Sequence, residues 1–346
     1  MFQFSTLKIP VIQAPMAGGP NTPELVSAVA NNGGIGSFGF AYNTPEKIAH
    51  DITTTKALTN GPINANFFIF QPTELPSPEI QSSALEELLR LPIMKDVTIS
   101  IPKEPFFPDI NTQLEAIWVN PTEILTFHFG IPSQSIIKKA HSLGIAVGIT
   151  ATNSDEAVAI SKANADFIVT QGIEAGGHRG VFNTDSADND LPLNQLVEEI
   201  LKVTNLPLVA AGAIMDGHDI NNALTLGASA VQMGTAFLSC HESGITTEHR
   251  QFILHQHSRK TSFTKAFSGR RAQGINNEFM RLMSDKPVLP FPIQNTVTGP
   301  VRQLANKLNN GEYQSLWAGK GYDRARPMAT SQLMLTLHNE MHSGNR

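Results

Sequence analysis

Short apolar runs recur along this chain at 11–16, 35–40, 63–68, 124–129, 145–150, 167–170, 208–214 and 230–233. Glycine, proline or a polar residue precedes each of them, as expected of strands buried on both faces. Helical patterns fill the intervals. Thr22-Pro23-Glu24 and Thr44-Pro45-Glu46 each set a threonine cap before a proline at the first helical position. Residues 133–143 carry Ile136, Ile137, Ala140 and Leu143 at helical spacing, and 193–203 carry Leu193, Leu196, Val197, Ile200 and Leu201. Further helices are expected at 109–120, 154–163 and 220–226. Strands alternating with helices, with every crossover too long for a hairpin, demand parallel pairing. Eight of them point to an α/β fold of the (β/α)8 TIM barrel type, with an open doubly wound sheet as the alternative.

The rhythm breaks twice. Residues 70–108 are rich in proline with one helix-like piece at 83–91, and read as an insertion after strand three. Beyond Thr235 the pattern loosens into a smaller, mostly helical region. The expected organisation is a barrel over 1–236, a region over 237–325 covering its mouth, and a tail over 326–346 whose helix, 330–341, returns to the barrel.

Composition narrows the class. With 41% hydrophobic and 16% charged residues among 346, the chain is globular with a lightly charged surface. A net charge of −5 and no basic run argue against a nucleic-acid partner. A single cysteine, Cys240, fits a reducing compartment. The opening residues lack the pattern of a signal peptide, and no apolar stretch approaches the roughly 20 residues that span a bilayer. A soluble cytoplasmic protein is expected, with no membrane partner; a homo-oligomer remains open.

In such a barrel the chemistry lies at the carboxyl ends of the strands. The sixth strand runs into Gln171-Gly172-Ile173-Glu174-Ala175-Gly176-Gly177-His178-Arg179-Gly180. Glycines there allow close approach to a ligand, and His178 is suited to proton transfer near neutral pH. The first strand ends abruptly in Ala14-Pro15-Met16. Strands seven and eight exit at Gly212 and at Gln232-Met233-Gly234-Thr235, the customary place for phosphate. Asn64 and Asn66 point the same way from strand three, and Asn66 stands nearer the mouth, where an amide suits the edge of a flat heterocycle. Together these residues suggest a planar, phosphate-bearing cofactor across the mouth, with His178 above it. His128 on strand four could face the mouth but reads first as a core histidine, Arg179 could lend positive charge but reads first as a surface arginine, and His218 reads as part of a helix start capped by aspartates. His255 and His257 lie on one expected helix without facing each other. No Cys/His cluster has metal spacing.

Several segments carry a family resemblance: Gln13 to Gly19 (QAPMAGG), Gln171 to Gly180 (QGIEAGGHRG), Ala210 to Ile214 (AAGAI) and Gln232 to Thr235 (QMGT). Ala266 to Arg270 (AFSGR) and Leu316 to Gly319 (LWAG) extend it. These resemble the nitronate monooxygenases, formerly 2-nitropropane dioxygenases. The resemblance implies an FMN-dependent barrel that oxidises alkyl nitronates, of the propionate 3-nitronate class, with O2 to a carbonyl compound and nitrite. It implies FMN contacts from Ala14, Pro15, Met16, Asn66, Gln171, Gly176, Gly177, Gly212, Gln232, Met233, Gly234 and Thr235. It makes His178 the catalytic base, or the group that orients the nitro oxygens. A nitronate is already deprotonated, so a base is needed only for a neutral nitroalkane.

Three positions depart from the family pattern: Gln273 and Glu278, where basic residues are expected, and Lys320, where glutamine is more usual. The nearest rival function is that of FMN-dependent enoyl-ACP reductases or NADH:quinone reductases, which resemble the same histidine loop. A metabolite sensor without turnover is a third reading, one that leaves a histidine so placed with nothing to do.

Overall fold

The computed structural model describes residues 2–95 and 97–343. Positions 1 and 344–346, at the outer ends of the expected barrel and tail, and position 96 in the expected insertion, lie outside the described residues. The strands in chain order are β1 (Val11–Gln13), β2 (Gly36–Gly39), β3 (Ile63–Phe68), β4 (Ile124–His128), β5 (Ala146–Ala151), β6 (Phe167–Gln171), β7 (Gly177–His178), β8 (Leu208–Ala211), β9 (Ala230–Met233), β10 (Thr261–Thr264) and β11 (Ala272–Ile275). Eight of them pair in parallel in the order β1-β9-β8-β6-β5-β4-β3-β2. A parallel bridge from Ile12 to Ile35 joins the two outer members, so the sheet closes into a (β/α)8 barrel. The helices start where their caps predict: Thr22 and Thr44 accept the backbone N–H of Leu25 and Lys47.

Two strands stop earlier than their apolar runs suggest. β1 ends at Gln13, because Pro15 follows almost at once and has no N–H for the ladder. β8 ends at Ala211, where Gly212 and Ala213 take φ of 147° and 50° and turn the chain out of the sheet.

Alternation along the strands sorts the barrel interior into layers. At the floor, Ile12, Ile35, Ile124, Phe167, Val209 and Ala230 cluster with Phe4, which plugs the barrel from below. Higher up the interior turns polar. Thr126 donates to Asn64 Oδ1 at 3.0 Å, Asn64 donates to Ser37 at 3.1 Å, and Asn66 donates to Thr126 at 2.9 Å. The larger core lies outside the strands, where Leu25, Ile48, Ile117, Ile137, Ile160, Val197 and Ile220 bring the helices onto the barrel.

Over the mouth stands a second core. Ala84, Leu88, Leu91 and Met94 from the insertion pack with Phe267, Phe279, Leu289, Ile293 and Val301. The insertion helix starts at Pro78, ahead of the expected 83, since Ser77-Pro78-Glu79 repeats the cap-proline-acid start. Beside its short helices this region holds a hairpin of β10 and β11, and β11 pairs antiparallel with β7. The last helix, Thr330–His342, returns Leu333, Met334 and Leu337 to the barrel core. Among the described residues, no helix is long and apolar enough to cross a membrane.

Candidate active site

A cavity of about 380 Å3 opens at the carboxyl ends of the strands. Its lining includes His178 together with Ala14, Pro15, Met16, Asn66, Gln171, Gly176, Gly177, Gly212, Gln232, Met233, Gly234 and Thr235. Residues distant in sequence meet there because each ends, or follows, a barrel strand.

The loop after β6 owes its path to β11. Ala272 lies opposite His178 and Gln273 opposite Gly177. Gln273 donates its side-chain amide to Ala175 O at 2.7 Å and Ile173 O at 3.1 Å, so a residue that departs from the family pattern ties the loop down. Gly176 is obligatory here: a Cβ would lie 2.4 Å from the backbone nitrogen of Gly319. Lys320 meets the same loop through its backbone, donating its N–H to Glu174 O at 2.9 Å. Glu278 pairs with Arg281, 2.6 Å away on an exposed helix face.

Arg179 is no surface residue. It is fully buried, with Nε and Nη2 at 2.8 and 3.0 Å from the Asp188 carboxylate and Nη1 donating to Gln171 O and Gly172 O. A bidentate partner and two carbonyls make that burial tolerable. Gln171 is likewise committed to the loop, accepting the N–H of Gly180 at 2.7 Å and donating to His178 O at 2.9 Å.

His178 has its ring in an aromatic cage, with centroids of Trp317, Phe291, Phe129 and Phe68 at 5.6, 5.7, 5.9 and 6.3 Å. Nε2 sits 2.8 Å from Ser268 Oγ. The Ser268 hydroxyl donates to Arg270 O at 3.1 Å, so its lone pairs face the ring and Nε2 carries the proton. Nδ1 therefore keeps its lone pair, and no group of the chain donates to it among the described residues. Burial pushes the His178 pKa down to about 3, and the charges of Arg270 and Arg302 add to the effect. The imidazole is uncharged at neutral pH.

His128 belongs to this site rather than to the core. It lines the cavity, and its Nε2 reaches His178 O at 3.3 Å, with burial lowering its pKa to about 3. His218 does sit in a helix start, its N–H and that of Asp219 accepted by Asp216. His257 lies beyond the helix Thr247–His255, so it does not share an element with His255 as its spacing suggests.

Four of the residues that escaped the sequence reading bear directly on the geometry and charge around the cavity. Ser268 fixes the tautomer of His178. Arg270 lays its guanidinium 3.7 Å from the centre of the Phe129 ring and donates to the carbonyls of Arg179 and Val181. Trp317 closes the cage, and Arg302 reaches the cavity from the helix Gly299–Lys307. The segments AFSGR and LWAG were visible signals for three of them; Arg302 had none.

The rim of the cavity at the ends of β8 and β9 turns sharply. Gly212 and the adjoining Ala213 both have positive φ, which turns the chain out of β8 at the rim of the cavity. Positive φ at an alanine is costly and tends to mark a functional turn. Thr235 steadies the second exit, accepting the N–H of Gly319 at 3.0 Å. Asn66 spends its amide N–H on Thr126, leaving its Oδ1 with no donor from the chain among the described residues.

Known proteins bear on this geometry. The sequence pattern of nitronate monooxygenases matches residues 1–340. The chain is 36% identical over 323 residues to a probable nitronate monooxygenase of Bacillus subtilis (strain 168), covering 93% of this chain and 92% of that protein. It superposes on the nitroalkane oxidase of Streptomyces ansochromogenes with a TM-score of 0.91 and 32% identity, over 98% of this chain and 97% of that one. FabK from Thermotoga maritima, at 22% identity and a TM-score of 0.76 over 98% and 94% of the two chains, shares the fold. The full-length match and the level of identity settle the affiliation: the chain belongs to the nitronate monooxygenase family.

Proposed function

We propose that this flavin-dependent oxidoreductase holds FMN across the barrel mouth and oxidises alkyl nitronates of the propionate 3-nitronate class with O2. The products are a carbonyl compound and nitrite, and the role is removal of a toxic nitro compound. The observation that carries the reading is His178, kept uncharged in an aromatic cage beside a cavity with glycine exits on the last two barrel strands.

The residues present suit FMN. The exits at Gly212 and Gly234 offer backbone N–H groups to its phosphate. Asn66 Oδ1 suits a ring N–H, and Ala14, Pro15 and Met16 supply a flat apolar flank. Gly176, Gly177 and Gln171 shape the wall beneath His178, and Gln232, Met233 and Thr235 line the far side. Bound there, FMN supplies an acceptor for the substrate's electrons and a route for them to O2. Each part of the chain has its own role. Residues 1–236 carry the cofactor, 237–325 cover the mouth, and 326–346 anchor the cover to the barrel.

The protein's own groups then do three things. The cage of Phe68, Phe129, Phe291 and Trp317 excludes water from the reacting carbon. Arg270, with Nε and Nη2 committed to backbone carbonyls, gives positive potential beside His178, which favours an anionic nitronate. Nδ1 of His178 is placed to take the α-proton of a neutral nitroalkane, a step that a nitronate does not require. The Streptomyces relative, by its name, acts on nitroalkanes, which agrees with a base at this position.

The test is spectroscopic. The purified protein should be yellow, and anaerobic propionate 3-nitronate should bleach it. A yellow protein indifferent to the nitronate but bleached by NADH would move it to the reductases. A colourless protein that FMN does not reconstitute would sink both.

A further inference from the structure

The cover carries a second cavity, a groove of about 1170 Å3 lined by β10 and by the helix Glu278–Leu282 with the residues after it. Arg259, Lys260, Lys265, Arg271, Arg281 and Lys286 line it, against two carboxylates, Glu278 and Glu312. That balance runs counter to a chain whose net charge is −5. Four of the cations are answered within the chain: Arg259 by Glu312, Arg271 by Asp188 and Asp190, Arg281 by Glu278, and Lys286 by Glu87. Lys260 and Lys265 are exposed and, among the described residues, have no carboxylate within ion-pair distance. Met280, Met283 and Val288 add apolar surface to the lining.

The groove follows a free strand edge. β10 is an outer member of the sheet β10-β11-β7. Asn276 donates its N–H to Lys260 O at 3.0 Å, in the register that sets Thr261 opposite Ile275. That bond fixes the phase of the ladder: Ser262 and Thr264 turn their backbone groups to β11, and Thr261 and Phe263 turn theirs outward. Among the described residues, no backbone group bonds the outward N–H or C=O of Thr261 and Phe263. Ser262, Phe263 and Thr264 are consecutive, so their side chains alternate between the faces of the strand, yet all three line the groove. A groove reached from both faces runs past the edge between them.

These features select the kind of partner. Small-molecule pockets are usually roughly 300–1,000 Å3, with a few fixed polar groups inside. This groove is larger, and its unpaired cations stand in water, where a single ion pair is worth little. A peptide strand laid along β10 gains main-chain bonds as well, and its alternate side chains meet different walls. A second copy of this chain, pairing edge to edge, would set its own lysines against Lys260 and Lys265 and be repelled. An acidic strand is drawn in by the same charges.

We propose that the groove docks an extended acidic segment of a partner protein, which adds to β10 as a further strand. Lys260 and Lys265 meet its carboxylates, and Met280, Met283 and Val288 meet its apolar side chains. This docking is independent of the nitronate reading.

The probe is a fluorescent peptide alternating glutamate with valine, titrated into the full chain and followed by anisotropy beside its lysine–valine counterpart. The acidic peptide should bind saturably, more weakly as salt rises, and the basic one should not bind. The double variant Lys260→Glu/Lys265→Glu should weaken binding on the order of 10-fold, as for two exposed ion pairs turned repulsive. Lys260→Gln/Lys265→Gln should lose less, and an unchanged melting temperature would show that both variants stay folded. Amide exchange reads the mode of binding: the N–H groups of Thr261 and Phe263 should slow when the peptide is bound, while those of Ser262 and Thr264, already in the ladder, change little. No saturable binding, equal binding of the two peptides, or a bound acidic peptide that leaves Thr261 and Phe263 unprotected overturns the proposal.

Discussion

The imidazole of His178 is half-buried, crowded by four aromatic rings, and faces the charges of Arg270 and Arg302. A protonated ring there would lose hydration and meet like charge, so the neutral form prevails. Ser268 then decides which nitrogen is basic. Replacing His178 with asparagine should cost about 10²- to 10⁴-fold in kcat/KM on a neutral nitroalkane, the usual worth of a general base. The loss on the matching preformed nitronate should be far smaller; equal losses would show that His178 acts through binding instead. Ser268→Ala should cost less, and the imidazole 15N shifts should report a mixture of tautomers where the wild type shows one.

At the scale of elements, the small sheet β10-β11-β7 holds the histidine loop against the cover. Its buried link is Gln273, which bonds two loop carbonyls and accepts from Thr261 at 3.1 Å. Gln273→Leu strands both carbonyls, at a cost of about 1–3 kcal/mol. A lower melting temperature and faster amide exchange across residues 173–178 are expected; unchanged exchange there would show that the loop is held by other contacts. This pairing escaped the hydropathy pattern because a strand of two residues, Gly177–His178, has no periodicity to read. The barrel strands were legible because each buries both faces and spells a near-continuous apolar run.

For the whole molecule, three histidines are held in their neutral form: desolvation lowers His128 and His178 to about 3 and His249 to about 4, from 6.5. The sign follows from proton counting. Below 6.5 the unfolded chain takes up protons that the folded chain refuses, so their contribution is complete above that pH and is lost as pH falls. Each histidine adds a slope of up to about 1.4 kcal/mol per pH unit. Urea unfolding between about pH 7 and pH 5, above most carboxylate titration, should show stability falling with a slope above that of one histidine. A flat profile would mean that these rings are hydrated in the folded protein.

The sequence by itself determined the eight-strand rhythm, the helix caps, and the glycine exits and histidine loop at the strand ends. These depend on neighbours along the chain or on apolar periodicity, which a linear string preserves. It misjudged the exposure of Arg179 and put His128 in the core rather than at the cavity, because what surrounds a polar residue depends on what packs over it from far away. Asp188 meets Arg179 within the same loop, but the sheet and aromatic residues that cover the mouth come from beyond residue 260. The tertiary structure alone decided that His178 is uncharged, that Ser268 selects its tautomer, and that Arg302 faces the cavity without a carboxylate. Desolvation and charge pairing are properties of the space around a group, and that space is assembled only when the second core closes over the barrel.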